Sequence, residues 1–183
     1  MKPIVVCFEH KGEKLSKEAF SIISDEFKNK EIEFKNFEKR NEFIKYIKDL
    51  YEENPLILEI HENVLDKKKE YSIIIYPKKE DLISISKKIE DILKNYNLKT
   101  SIEQFLIDEN GRKIAERINN YYVCIIDDIL CKNTIVLELP ALEKNIFIEI
   151  TKKIVEEFFE YCKNKYKLNQ NISPGVGFEP TRA

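Results

Sequence analysis

Apolar residues follow two alternating patterns along this chain. Short, mainly apolar runs, which are typical of strands buried in a sheet, occupy residues 3–9, 56–61, 71–76 and 134–139. Between these runs, apolar residues recur every three or four positions, the spacing that gives a helix one apolar face. Strands that alternate with helices favour parallel pairing, because a helix usually crosses over between two parallel strands. The pattern therefore predicts an α/β fold, in which layers of helices cover a mostly parallel mixed sheet.

Weaker apolar patterns complete the predicted order of elements. Leu15, Ala19 and Ile23 indicate that the first helix covers residues 13–28. Asn110-Gly111 is typical of a turn, and Ile114 and Ile118 behind it predict a short helix. The remaining predicted elements are strands at 32–37 and 121–126, and helices at 43–50, 82–93 and 148–161.

The chain length favours a single three-layer domain. A chain of 183 residues can bury well over half of its unfolded surface in one core. The composition changes abruptly near the end, since residues 173–183 hold two of the four glycines and two of the six prolines. We expect residues 1–170 to form the domain. Residues 171–183 are expected to take no part in packing, as a disordered tail or as an artefact of a reading frame that runs into a transfer-RNA gene.

Composition excludes several classes of partner. The 31 basic and 33 acidic residues give a formal net charge of -2, so the chain has no overall electrostatic attraction for nucleic acid. No apolar run approaches the roughly 20 residues that span a membrane. The four cysteines are widely spaced, which favours reduced, mostly buried thiols over a disulfide framework or paired zinc ligands. We expect a cytoplasmic protein that binds a small molecule, and its oligomeric state stays open.

The chain has only two histidines, and each follows an apolar strand-like run. His10 and Glu13 form a His-x-x-Glu spacing, and His61 ends the run at 56–61. If the two strands are neighbours in a parallel sheet, these side chains meet in the crevice beyond the carboxyl ends of the strands. Two imidazoles and one carboxylate with an open fourth position are typical of catalytic zinc. The alternative is that each is a surface or capping residue, since acids are favoured at helix starts.

Further carboxylates are candidates for the same site. Glu138 interrupts the apolar run at 134–139 and could have a raised pKa, or could simply face solvent on an edge strand. Glu149 is a rival to Glu138, although it falls at the start of the predicted terminal helix. Glu59 and Glu62 could orient the His61 imidazole. Glu59 is the better candidate, because residues two apart on a strand share a face.

The order of these residues resembles a known group of enzymes. His10 and Glu13, then His61 at a strand end, then Glu138 in a late strand are similar to the order in zinc carboxypeptidases and the succinylglutamate desuccinylase/aspartoacylase group. Within that group, the chain most resembles a short uncharacterised archaeal family of desuccinylase-like proteins. The resemblance implies a zinc carboxypeptidase-like fold and a zinc-dependent amide hydrolase.

The resemblance also implies roles for individual residues. Zinc held by His10, Glu13 and His61 would activate a water molecule, and Glu138 would take its proton. In place of the group's Asn-Arg pair, Arg40 and Arg112 are the candidates that bind the substrate. The predicted function is hydrolysis of the amide bond of a small N-acyl amino acid or related acylated amine. The alternatives are a non-enzymatic α/β binding protein and a catalytically degenerate remnant that still binds metal.

Overall fold

The structure, a computed structural model, describes residues 3–8, 13–49, 55–63, 70–76, 80–107, 113–116, 122–125 and 133–170. This part of the chain contains eight strands and four helices. The strands are β1 (Ile4–Phe8), β2 (Glu33–Phe37), β3 (Ile57–Glu62), β4 (Tyr71–Tyr76), β5 (Lys99–Ile107), β6 (Lys113–Glu116), β7 (Tyr122–Ile125) and β8 (Thr134–Leu139). The helices are α1 (Lys14–Glu26), α2 (Arg40–Asp49), α3 (Glu80–Asn95) and α4 (Lys144–Gln170).

The strands form one mixed sheet in the order β2-β1-β3-β8-β4-β5-β6-β7. The first four strands in this order are all parallel to one another. β4 then pairs with β8 in the antiparallel direction, while β4 and β5 are parallel to each other. β6 and β7 extend the sheet as antiparallel strands. The predicted α/β fold is therefore confirmed, and its parallel part is a block of four strands.

Helices cover both faces of the parallel block. On one face, α1, α3 and α4 share one hydrophobic core with alternate residues of β1, β3 and β8. This hydrophobic core includes Val5, Leu58, Ile60, Ile135, Leu137, Ala19, Ile23, Leu82, Ile85, Ile89, Phe147, Ile150, Ile154 and Phe158. On β2, the Phe34 ring contacts Phe20 and Phe27 from α1. Phe37 points to the opposite face, where its ring lies 5.4 Å from that of Phe43 in α2. The domain thus has three layers.

The prediction of a short helix after Asn110-Gly111 is wrong over residues 113–116. These residues form β6, in which Ile114 pairs with Leu106 of β5. Residues four apart, such as Ile114 and Ile118, lie on one face of a helix and also on one face of a strand, so their spacing does not distinguish the two. The pattern also missed β5, and α4 begins earlier and ends later than predicted.

Two smaller predictions can be compared with the described residues. Cys7 and Cys162 are buried, as expected, whereas Cys131 lies outside the described residues. None of the described helices is long and apolar enough to cross a membrane. The segment at 171–183 lies outside the described residues, so its expected lack of packing stays a prediction.

Candidate functional site

The candidate site lies where three neighbouring parallel strands end. β1 pairs with β3 in the parallel direction, with Cys7 opposite Ile60, so the condition that the two strands are neighbours is met. β3 pairs in turn with β8, and His61 lies beside Glu138 in this register. α1 begins at Lys14, soon after β1 ends, which places Glu13 at the same edge of the sheet. This edge is the usual position of binding sites in parallel sheets.

The imidazole of His61 lies between two carboxylates. Its Nε2 atom is 2.8 Å from Oε1 of Glu59, and its Nδ1 atom is 3.2 Å from Oε2 of Glu13. All three side chains are buried, with exposed fractions of 5% for His61, 3% for Glu59 and 6% for Glu13. Glu13 is therefore a buried partner of the imidazole, and the alternative of a solvated charge at a helix start does not describe it.

The two carboxylates decide the protonation of His61. Burial by itself lowers the pKa of His61, because it disfavours the charged imidazolium. The hydrogen bonds to Glu13 and Glu59, together with their negative charges, outweigh burial and raise the pKa of His61 to about 9. In the metal-free chain, both ring nitrogens of His61 therefore carry a proton at neutral pH and donate to the carboxylates.

Several buried carboxyl groups lie around the carboxyl end of β3. Four glutamates are buried here, at positions 13, 59, 62 and 138. His61, which can carry a positive charge, is buried beside two of them. Buried charges in proteins are normally compensated by a partner charge or a metal ion. His61 is such a partner for Glu13 and Glu59.

The distances within the site fit one edge of a zinc site. Two ligands of tetrahedral zinc, each about 2.0–2.1 Å from the metal, lie about 3.3–3.4 Å apart. The Oε2 atom of Glu13 and the Nδ1 atom of His61 are 3.2 Å apart, which matches this separation. Within the described ranges, no group of three or more His, Cys, Asp or Glu side chains is arranged to hold a metal. The third predicted ligand, His10, lies outside those ranges.

The other predicted site residues differ in how the structure places them. Arg40 is the first residue of α2, which follows the edge strand β2. Arg112 lies outside the described residues. Glu149 is 57% exposed on α4, where it pairs with Lys153 and accepts a hydrogen bond from the Tyr96 hydroxyl at 2.6 Å. Glu149 is thus a surface residue and has no part in the buried site.

Glu62 and Asn63 have contacts that the sequence did not predict. Glu62 does not orient the imidazole, because its Oε2 atom accepts a hydrogen bond from the backbone N–H of Leu15 at 2.7 Å. The backbone N–H of Asn63 donates to the carbonyl of Leu139 at 2.7 Å, and its Nδ2 atom donates to the carbonyl of Tyr71 at 3.0 Å. The sequence feature that could have indicated these contacts is the position of both residues after His61, at the end of a strand.

Comparisons with known proteins give structural neighbours only. No protein-family model matches the sequence, and no curated protein matches it. The chain is similar to the N-acetylmuramoyl-L-alanine amidase AmiC2 of Nostoc punctiforme, with a TM-score of 0.48 and 11% identity over 91% of this chain and 98% of that one. The chain is also similar to the catalytic domain of CwlV, an N-acetylmuramoyl-L-alanine amidase from Bacillus (Paenibacillus) polymyxa var. colistinus. The TM-score is 0.48 and the sequence identity is 11%, over 91% of this chain and 99% of that domain. Cwp6 from Clostridium difficile is similar with a TM-score of 0.51 and 14% sequence identity, over 90% of this chain and 29% of Cwp6.

These neighbours correct the family resemblance. The assignment to the zinc carboxypeptidase and desuccinylase/aspartoacylase superfamily, with its archaeal branch, is wrong, because the similar solved structures are amidase catalytic domains outside that superfamily. The physical reason is that four residue types in a given order describe strand ends, and strand ends of this kind occur in sheets of different topology. At 14% identity, the likeness to Cwp6 concerns the fold alone.

Proposed function

We propose that this protein is a zinc-dependent hydrolase that cleaves an amide bond. His10, Glu13 and His61 would hold the metal. One observation carries the proposal: two predicted ligands, distant in sequence, are buried with Oε2 of Glu13 and Nδ1 of His61 3.2 Å apart. Imidazole nitrogen and carboxylate oxygen are donors that zinc binds, which supports a metal ion in the same place.

Glu59 supports the proposal through the other ring nitrogen. An imidazole that binds a metal usually donates its second N–H to a carboxylate, which fixes the ring orientation and the tautomer. Oε1 of Glu59 lies 2.8 Å from Nε2 of His61, the distance of a strong hydrogen bond. With the proton held on Nε2, Nδ1 would lose its own proton when a metal binds and would offer its lone pair to the metal.

Glu138 is the proposed general base. A bound zinc ion would supply Lewis acidity, which lowers the pKa of a coordinated water and polarises a carbonyl group. Glu138 lies beside His61 in the pairing of β3 and β8 and is 6% exposed. Its carboxylate would accept a proton from the attacking water and return that proton to the leaving amine nitrogen, the work of a general acid-base group.

The proposed substrate is an acylated amino acid. A small N-acyl amino acid is the first candidate, and Arg40 and Arg112 are the proposed partners of its carboxylate, because arginine binds carboxylates with two parallel hydrogen bonds. The names of two structural neighbours provide a second candidate, N-acetylmuramoyl-L-alanine, in which an acyl group is likewise joined to the amine of an amino acid. A substrate panel should contain both compounds.

Metal content tests the proposal directly. The full chain is purified without a histidine tag, and its zinc is measured by mass spectrometry alongside His10→Ala, Glu13→Ala and His61→Ala. We expect about one zinc ion per chain, lost in each variant. Glu149→Ala, which alters an exposed carboxylate, is the matched control and should retain zinc. A wild-type chain that holds no zinc after zinc is supplied would disprove the proposal.

Hydrolysis separates the enzyme from a metal-binding remnant. Glu138→Gln should retain zinc and lose about 10²–10⁴-fold in turnover, the usual contribution of a general acid-base group. Wild-type protein that holds zinc but hydrolyses neither substrate would support the degenerate remnant instead. Equal turnover in Glu138→Gln and wild type would exclude Glu138 as the base.

A further inference from the structure

We propose that Glu62 is a positioning residue, which holds the start of α1 so that the carboxylate of Glu13 faces His61. The inference rests on the proposed function, because it concerns a proposed ligand of the same site. It adds a residue that contacts neither the metal position nor the imidazole.

The first observation is an unusual helix start. Glu13 is the N-cap residue of α1, and its side chain makes no capping hydrogen bond. Serine, threonine, aspartate and asparagine are preferred at this position, because their short side chains reach the free N–H groups of the first turn. The carboxylate of Glu13 contacts Nδ1 of His61 instead. The first turn of α1 therefore needs a hydrogen-bond acceptor from elsewhere.

Glu62 supplies that acceptor from a distant part of the chain. Its Oε2 atom accepts from the N–H of Leu15 at 2.7 Å, across 47 residues of sequence. Glu62 is buried, with an exposed fraction of 7%. A carboxylate at a helix N-terminus gains from the helix dipole as well as from the hydrogen bond. Glu62 thus does the capping work that Glu13 does not.

The two contacts hold α1 from consecutive residues of β3. Neighbouring residues on a strand point to opposite faces, so His61 and Glu62 diverge from the same strand end. His61 contacts the N-cap residue Glu13, and Glu62 contacts the second helical residue, Leu15. The strand end is itself fixed, because the N–H of Asn63 donates to the carbonyl of Leu139 at 2.7 Å.

Small changes at the helix start would separate the proposed ligands. A helix advances about 1.5 Å and turns about 100° per residue. Unwinding α1 by a single residue would therefore redirect the backbone that carries Glu13. The carboxylate would leave its position 3.2 Å from His61 Nδ1. The hydrogen bond from Leu15 to Glu62 therefore helps to fix the distance between Glu13 and His61, although Glu62 bonds to neither side chain.

Zinc affinity of Glu62 variants tests the inference. Affinity is measured by competition with a chelator for wild type, Glu62→Ala and Glu62→Gln in the full chain. We expect Glu62→Ala to weaken zinc binding roughly 10–100-fold, the usual effect of removing a partner that positions a ligand. Glu62→Gln keeps a carbonyl oxygen as acceptor and should recover most of the affinity. Ile23→Val is the matched control: this buried residue lies in the same helix, and its loss of a methylene should lower Tm without changing zinc affinity.

A second readout needs no metal. The ¹⁵N resonances of the His61 ring are recorded at one fixed pH in the zinc-free chain and assigned with a His10→Gln variant, since there are two histidines. We expect Glu62→Ala to shift the Nδ1 resonance in the same direction as Glu13→Ala, with no shift in Ile23→Val. An Nδ1 resonance and a zinc affinity that both stay at wild-type values in Glu62→Ala would overturn the inference. A wild-type chain that binds no zinc would refute the proposed function. It would leave the role of Glu62 to be decided by the Nδ1 resonance of His61, which is measured without metal.

Discussion

Raising the pH should destabilise the metal-free protein through His61. The pKa of His61 is about 9 in the folded chain, against an ordinary value of 6.5, because Glu13 and Glu59 stabilise the imidazolium more than burial disfavours it. A group whose pKa is raised by folding stabilises the folded state below the unfolded pKa, and this stabilisation disappears as the pH rises through the folded pKa. The contribution of His61 is therefore complete below about pH 6.5 and lost above about pH 9.

The size of the effect follows from the two pKa values. The difference between about 9 and 6.5 corresponds to roughly 3 kcal/mol when the imidazolium is fully formed in the folded chain. Between pH 6 and pH 8.5, the same two values predict a loss of about 2 kcal/mol in the free energy of unfolding. This loss is large enough to measure against the total stability of a small domain.

Urea unfolding in the presence of a chelator provides the assay. The free energies of unfolding of wild type and His61→Gln are measured at pH 6 and at pH 8.5. We expect the free energy of unfolding to fall more in wild type than in His61→Gln over this range. Higher pH is avoided, because burial raises the pKa of Cys7 and of Cys162 to about 12, so both thiols ionise first in the unfolded chain. Equal pH responses in the two proteins, or an imidazole resonance of His61 that titrates at 6.5 or below, would refute the reasoning.

Three further predictions follow from individual contacts. Cys7 and Cys162 should resist alkylation by iodoacetamide in the folded chain and react on unfolding, because burial raises the pKa of each thiol to about 12; peptide mass spectrometry would locate the label. Phe158→Ala should lower the free energy of unfolding by about 3–5 kcal/mol, and the half-buried Phe159→Ala by less, as measured in urea. Adding zinc at pH 7.5 should release about one proton from His61, detected with a pH indicator in weak buffer, and none from His61→Ala.

The strands of the site were predictable for a specific reason. Parallel strands that helices cover on both faces are mostly apolar along their length, so β1, β3 and β8 stand out as mainly apolar runs. Within such runs, Glu59, His61 and Glu138 are conspicuous as polar exceptions. The rule that sites lie beyond the carboxyl ends of parallel strands then placed Glu13 and His61 at one edge of the sheet. Both inferences use information contained in short stretches of sequence.

The features that were missed depend on pairing between distant segments. β4 is antiparallel to β8, and no periodicity along either strand records the direction of its neighbour. β6 is a strand because it pairs with β5, although its own residues fit a helix equally well. The contact between Glu62 and Leu15 spans 47 residues and joins a side chain to a backbone N–H, which has no sequence signature. The superfamily assignment failed for a related reason, because four positions do not encode a strand order.

Three consecutive buried residues at the end of β3 join the site to the rest of the fold. His61 contacts Glu13, Glu62 contacts the first turn of α1, and Asn63 contacts both β8 and the start of β4. The last contact lies where the sheet changes from parallel to antiparallel pairing. A buried polar network of this kind fixes one arrangement when it is fully bonded, and each lost partner is costly.

This arrangement determines how variants of the site must be interpreted. Substitutions at residues 61–63 will change stability and metal binding together, because the same contacts hold the ligands and the surrounding elements. A loss of activity in such a variant can therefore be assigned to the chemical step only if its zinc affinity is compared with that of a variant of equal stability. Glu138 is different, since its neighbours along β8, Leu137 and Leu139, carry the core packing of that strand. Glu138→Gln is consequently the variant in which a loss of turnover reports most directly on the proposed proton transfer.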